Sequence, residues 1–292
     1  MSGVDLKPKM NEAFVSAGDA RLFTESIGNR NAPPVLLIMG AMASGVWWPR
    51  SFCAQLAKRG RFVIRYDHRD TGRSTSYGPG GATYSTETLA EDALSVLDGY
   101  NIESAHVVGM SLGGYLGQLL ALKAPQRVRT LTLIASEQLA PPDPAMPAMD
   151  ARIPQYHARA AQLDWSDREA VSEYQVGAWR LLSGTAHPFD EAFIRELAQE
   201  DLDRTPNPLT PFNHASLREP PGWVGRLGEI QAPALIIHGT EDLVVPYAHA
   251  VALHAGLRNS RLVTLASAGH ELHPLDWPVM LDAIVEHTSR RE

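Results

Sequence analysis

Gly109-Met110-Ser111-Leu112-Gly113 is a G-x-S-x-G stretch lying between an apolar run that reads as a strand and a striped segment that reads as a helix. That setting suits a serine raised on a tight strand-to-helix turn. The residues two positions to either side then come close together and must be small. A helix beginning just after Ser111 aims its unpaired N–H groups and positive dipole end at the hydroxyl, where they would stabilise an oxyanion.

A serine hydroxyl needs a base to become a useful nucleophile. Of the 11 histidines, His270 has the right position. It follows Gly269 in a loop after a predicted strand at Arg261–Leu265, with His273 three residues on as the alternative. The acid that orients such an imidazole should follow a strand and precede the histidine in the chain. Asp242, in His238-Gly239-Thr240-Glu241-Asp242, meets both conditions, and Glu137, after an earlier strand, is a second acid to weigh. Two N–H donors complete acyl-transfer chemistry. Leu112 supplies one, and Ala41, on the loop Met39-Gly40-Ala41-Met42-Ala43, supplies the other. Met42, Trp47, Met110 and Trp179 are the expected substrate contacts.

Other chemistries fit less well. A dinucleotide fingerprint starting at Gly109 would need glycine at 111, and there is no Walker A sequence. His249 with His254, and His270 with His273, have metal-like spacings without a matching ligand cluster, so neither metal nor cofactor is expected. Cys53 is the one cysteine, which excludes an intramolecular disulfide and a Cys-rich zinc site. It lies in a predicted helix and reads as a buried thiol. The charged run Asp67-His68-Arg69-Asp70 reads as a loop organised by its own hydrogen bonds. A net charge of −7 argues against a nucleic-acid partner. The longest apolar run, Val35–Ala43, is too short for a membrane span. Met1–Lys7 lacks an apolar export segment, so a cytoplasmic protein is expected.

The elements that must hold these residues alternate. Two short strands within Phe14–Ile27 flank a turn at Ala17-Gly18-Asp19. The unbroken apolar runs at 35–39 and 234–237 suit strands buried on both faces. Further strands are predicted at 61–66, 106–108 and 128–135, with helices at 86–97, 111–124 and 275–288. Such alternation implies a parallel sheet with helices on both faces. Prolines crowd 141–147, 206–211 and 220–221, and a helical pattern runs from about 153 to 197. The simplest organisation is a core of 1–136 and 226–292 with a mostly helical insertion at 137–225. Trp165, Trp179, Met146 and Met149 in that insertion suggest an apolar cavity.

The Gly109–Gly114 turn, Asp242 in its His-Gly-x-x-Asp setting and Gly269-His270 resemble the α/β-hydrolase superfamily over essentially the whole chain. More narrowly, residues 63–74, 106–109 and 179–185 and the Met39-Gly40 pair resemble the aclacinomycin methylesterase group. The resemblance implies a mostly parallel eight-stranded sheet flanked by helices, with an inserted helical cap. It also implies a cofactor-independent serine esterase that acts through an acyl-enzyme on a small-molecule hydrophobic ester such as a methyl ester. In that scheme Ser111 attacks, His270 carries the proton and Asp242 orients His270. A serine at 111 argues against haloalkane dehalogenase and epoxide hydrolase chemistry, which use a carboxylate there. The same triad would also serve a lactonase, a C–C bond hydrolase or a perhydrolase. A ligand-binding protein with weak turnover is the non-enzymatic alternative.

Overall fold

The computed structural model describes residues 8–218 and 221–289. Eight strands form one sheet: β1 (Asn11–Ala17), β2 (Ala20–Ile27), β3 (Pro34–Ile38), β4 (Phe62–Tyr66), β5 (Ala105–Met110), β6 (Val128–Ile134), β7 (Ala234–Gly239) and β8 (Ser260–Leu265). Their spatial order is β1-β2-β4-β3-β5-β6-β7-β8. The β1–β2 and β2–β4 pairs are antiparallel, and every later pair is parallel. The two unbroken apolar runs lie in β3, buried from Val35 onward, and β7, buried throughout, and β4 and β5 are buried along their length as well, because helices cover both faces.

The helices are α1 (Arg50–Lys58), α2 (Thr86–Gly99), α3 (Leu112–Lys123), α4 (Arg152–His157), α5 (Arg168–Leu182), α6 (Glu191–Arg204), α7 (Ala248–Gly256) and α8 (Trp277–His287). One apolar layer joins the sheet to α2, α3 and α7 through Leu89, Leu97, Leu116, Leu120 and Leu253. The other joins it to α1, α6 and α8 through Phe52, Leu56, Leu197, Trp277 and Leu281. Cys53 belongs to this second layer, and burial pushes its thiol up to about 11, which keeps it protonated and inert.

Two elements differ from expectation. No apolar stripe marks 248–256, yet α7 forms there. Its alanines and two histidines show no helical pattern, and only Ala250 and Leu253 are buried. The single helical stretch predicted at 153–197 is broken into α4, a 3-10 turn, α5 and α6. Asp167 caps α5 by accepting from the N–H groups of Glu169 and Ala170, and Asp190 caps α6 by accepting from Phe193 N–H. Helices α4, α5 and α6 all lie in the long connection between β6 and β7. Among the described residues no helix is long and apolar enough to cross a membrane.

Candidate active site

Ala41, Ser111, Asp242 and His270 follow β3, β5, β7 and β8. All four therefore sit at the carboxyl edge of the parallel strands, where such sheets bind ligands. Ser111 has φ +53°, a left-handed conformation costly for any residue but glycine. Its surroundings enforce that turn. A Cβ at Gly109 would lie 2.1 Å from Gly113 O, and a Cβ at Gly113 would lie 2.1 Å from Ile38 O on β3. Both positions thus exclude any side chain, for the reason the motif spacing suggested. Ser111 N–H donates to Ile134 O (2.9 Å), and Ser136 Oγ donates to Ser111 O (2.9 Å). The Ser111 side chain makes no cap on α3.

His270 and Asp242 are brought together. His270 Nδ1 lies 2.7 Å from Asp242 Oδ2, and both residues are buried. The other carboxylate oxygen accepts the N–H groups of Val244 and Val245, each at 2.8 Å. His238 Nε2 lies 3.3 Å from Asp242 Oδ2 and 2.7 Å from Val245 O. Burial alone would push the Asp242 carboxyl up. His270 and His238, through charge and hydrogen bonding, outweigh burial and hold it well below the usual carboxylate range. With Nδ1 facing the acid, Nε2 is the ring nitrogen that Asp242 leaves unengaged. Among the described residues no hydrogen bond yet joins Ser111 Oγ to His270. Such catalytic contacts are often long until substrate arrives.

The alternatives weighed from sequence go elsewhere. Glu137 is exposed, and His270 Nδ1 is engaged by Asp242. His273 stacks on His187 with ring centres 4.7 Å apart, its Nε2 3.2 Å from Pro188 O. His249 Nε2 faces Pro147 O, and His254 Nδ1 faces Ser260 Oγ.

The loop after β3 packs against the serine turn: a Cβ at Gly40 would lie 3.3 Å from Ser111 Cβ. Met42 takes a left-handed φ of +63° and donates its N–H to His214 Nδ1 (3.0 Å). His214 Nε2 in turn lies 2.9 Å from Arg69 O, and His68 Nε2 lies 2.9 Å from Met39 O. Both histidines are buried, so burial lowers their pKa values, that of His68 to about 3, and both stay neutral. Met42 N–H is thus committed, whereas Ala41 N–H and Leu112 N–H, the two donors expected for an oxyanion, have no protein acceptor among the described residues.

A cavity of about 150 Å³ opens beside this loop. Trp47, Trp165, Tyr174, Trp179 and Phe212 are the aromatic part of its lining, which also includes Ala41 and Met42. Trp47 and Trp179 stack with ring centres 4.4 Å apart, and Trp165 meets Tyr174 and Phe212 edge-on. Met42, Trp47 and Trp179 thus line the cavity. Met110 does not: its side chain is 1% exposed and packs in the core layer shared with Trp47 and Trp48. Met146 and Met149 are also absent from the lining, Met149 being largely exposed. Tyr174, Leu182 and Phe212 were not singled out from sequence. Each is an ordinary apolar or aromatic residue whose role depends on where the helix lies.

The charged run at 67–70 works over longer range than expected. Asp67 accepts from Gly45 N–H, Arg73 N–H and the Arg204 guanidinium (2.7 Å). Arg204, at the end of α6, also reaches Glu25, which is shared with Arg50 and Arg65. Asp70 accepts from Tyr84 and from Asn213. Asp201, also on α6, accepts from Ser44 Oγ and Trp47 Nε1. Buried ion networks add little net stability but fix geometry. Here they seat the β6–β7 connection on the core.

Residues 33–276 match the family model described as alpha/beta hydrolase fold. The chain belongs to the alpha/beta hydrolase fold family. This α/β hydrolase is 35% identical over 294 residues to the rhodomycin D methylesterase DauP of Streptomyces sp. (strain C5), with 96% of this chain and 98% of the relative covered. It is 34% identical over 294 residues to the rhodomycin D methylesterase DnrP of Streptomyces peucetius, with the same coverage. Its fold is similar to that of the 2-hydroxy-6-oxo-6-phenylhexa-2,4-dienoate hydrolase BphD from Rhodococcus sp. strain RHA1. There the TM-score is 0.77 at 23% identity, covering 97% of this chain and 99% of that one, a likeness of fold alone. The resemblance to the aclacinomycin methylesterase group, read from residues 63–74, 106–109 and 179–185, agrees with the two methylesterase relatives.

Proposed function

We propose that the protein is a cofactor-independent serine esterase that hydrolyses a carboxylic ester, such as a methyl ester of a hydrophobic compound, in keeping with its similarity to two rhodomycin D methylesterases. The observation that carries this reading is the buried His270–Asp242 pair on the same sheet edge as the strained Ser111 turn. Ser111 Oγ adds to the ester carbonyl while His270 Nε2 takes its proton. The oxyanion is held by Ala41 and Leu112 N–H groups. Collapse expels the alcohol, which receives the proton from His270, and leaves the acyl group on Ser111. Water, deprotonated by the same nitrogen, then releases the acid and restores Ser111. Asp242 keeps Nδ1 protonated and stabilises the imidazolium. The segment 137–225 acts as a cap over the core formed by 1–136 and 226–292, and its aromatic wall selects the apolar part of the substrate.

Turnover of p-nitrophenyl esters and aromatic methyl esters by the wild type and by Ser111→Ala tests this. The variant should lose on the order of 10⁴-fold in kcat or more. Equal rates in the two proteins overturn the assignment, and product analysis on lactones and vinylogous diketones separates ester cleavage from its sister reactions.

A further inference from the structure

The stretch Trp179–Thr185, one of the segments that carry the family resemblance, has no role in the chemistry above. It ends α5 and runs directly against the loop that bears His270. The two backbones are so close that a Cβ at Gly184 would lie 2.1 Å from Ser267 O, and a Cβ at Gly269 would lie 2.2 Å from Leu182 O. His270 N–H donates to Leu182 O (2.8 Å), and the N–H groups of Thr185 and Ala186 donate to Ser267 O (2.8 and 2.9 Å).

Two carboxylates close the contact, each next in sequence to a triad member. Glu271 Oε1 accepts Gly184 N–H (2.9 Å), and its Oε2 accepts Ser183 Oγ–H (2.7 Å). Glu241 Oε2 accepts Thr185 N–H (2.9 Å), and its Oε1 accepts Thr185 Oγ1–H (2.9 Å). Each glutamate thus uses both oxygens, Glu271 on Ser183 and Gly184 and Glu241 on Thr185. Charge-assisted bonds to neutral donors are stronger and more directional than neutral ones. Upstream in the same helix, Tyr174, Gln175, Ala178, Trp179 and Leu182 line the aromatic cavity. One rigid helix therefore touches the space for the substrate along its side and the His270 backbone at its end.

We propose that Glu271, with Glu241 as its counterpart on the acid loop, is a positioning residue that locks α5 to the His270 loop, so that a group filling the cavity helps hold His270 in its working place. The proposal rests on the ester-hydrolase reading. A substrate large enough to press on α5 benefits from the lock, whereas a small one does not reach it.

The experiment compares wild type, Glu271→Ala, Glu271→Gln and Glu241→Gln, as full chains, on p-nitrophenyl acetate and p-nitrophenyl 2-naphthoate. Backbone amide exchange over 182–186 and 267–271 is followed by mass spectrometry on the same samples. Misplacing a catalytic group by about 1 Å costs up to about 100-fold. On that scale Glu271→Ala should lose about tenfold in kcat on the naphthoate and less than about threefold on the acetate, with KM little changed. Glu271→Gln should recover most of the loss, since its amide oxygen still accepts Gly184 N–H, and exchange at both segments should quicken in the alanine variant. Equal losses on the two esters, an effect confined to KM, or unchanged exchange in a folded variant overturns the proposal. If Glu271→Ala does not fold, Glu241→Ala, with Glu241→Gln as its conservative control, decides it by the same two readouts. A wild type inactive on every ester would fail the hydrolase reading instead, while the exchange data still judge the lock.

Discussion

The serine turn and the aromatic cavity wall are built by opposite means. The turn is made of backbone: Gly109 against Gly113, and Gly113 against Ile38, leave no room for a side chain at either glycine. Its geometry is over-determined within six residues and one neighbouring strand. The wall is made of side chains from α5, Trp165, the turn near Phe212 and Trp47, with the β6–β7 connection held to the core by contacts such as His214 to Met42 and Arg204 to Asp67. Strain at Ser111 persists because the packing around it cannot relax. The wall can change shape by swapping one aromatic residue for another. A fold arranged this way keeps its chemistry fixed while its choice of substrate varies.

The comparison breaks first at the turn. Gly113→Ala would put a Cβ 2.1 Å from Ile38 O. It should cost about 4 kcal/mol or more, lowering Tm by on the order of 10 °C, as read by urea and thermal unfolding. A variant as stable as wild type would mean that the turn is held by something other than backbone contact.

Acid tests the seam between the two regions together with the sheet. Burial pushes His68 down to about 3 and His106 to about 4, and it lowers His214 too. In the unfolded chain these imidazoles titrate near 6.5. Below that value the unfolded state binds protons that the folded state refuses, so stability is complete above about pH 6.5 and drains as pH falls toward 3. Between pH 6 and 5 the loss should be on the order of 2 kcal/mol, measurable by denaturant titration at each pH. His68→Gln should flatten that slope, and an unchanged slope would remove His68 from the account.

Trp179→Ala should have the smallest effect on the fold and a selective one on activity. It deletes one half of the stack with Trp47. KM for a bulky aromatic ester should rise about tenfold, with kcat within about threefold and stability reduced by roughly 1 kcal/mol. A large fall in kcat for small esters would show that the wall is part of the catalytic machinery after all.

Much of this was legible in the sequence where the physics is local. Apolar runs gave β3 and β7, short strand-like segments gave β4 and β5, and turn chemistry placed the hairpin at Gly18. The G-x-S-x-G spacing and the order of serine, acid and histidine led to Ser111, Asp242 and His270. Helix α7 was not legible, because a nine-residue stretch rich in alanine buries too little to show a period. Nor was the core position of Met110, which strand burial decides, or the surface position of Met149. The supporting groups were also hidden. His214 meets a residue 172 positions away, and Glu271 meets one 87 positions away.

By itself the sequence determined the alternating sheet and the strained serine turn. Strand periodicity and glycine spacing act between near neighbours and survive without knowledge of the rest of the chain. It also determined which acid and histidine follow which strands. Only the tertiary structure decided that His214 takes Met42 N–H, that Asp242 serves two histidines, and that α5 ends against the His270 loop. Those outcomes depend on which distant groups use up each donor and acceptor once burial forces most of them to find a partner.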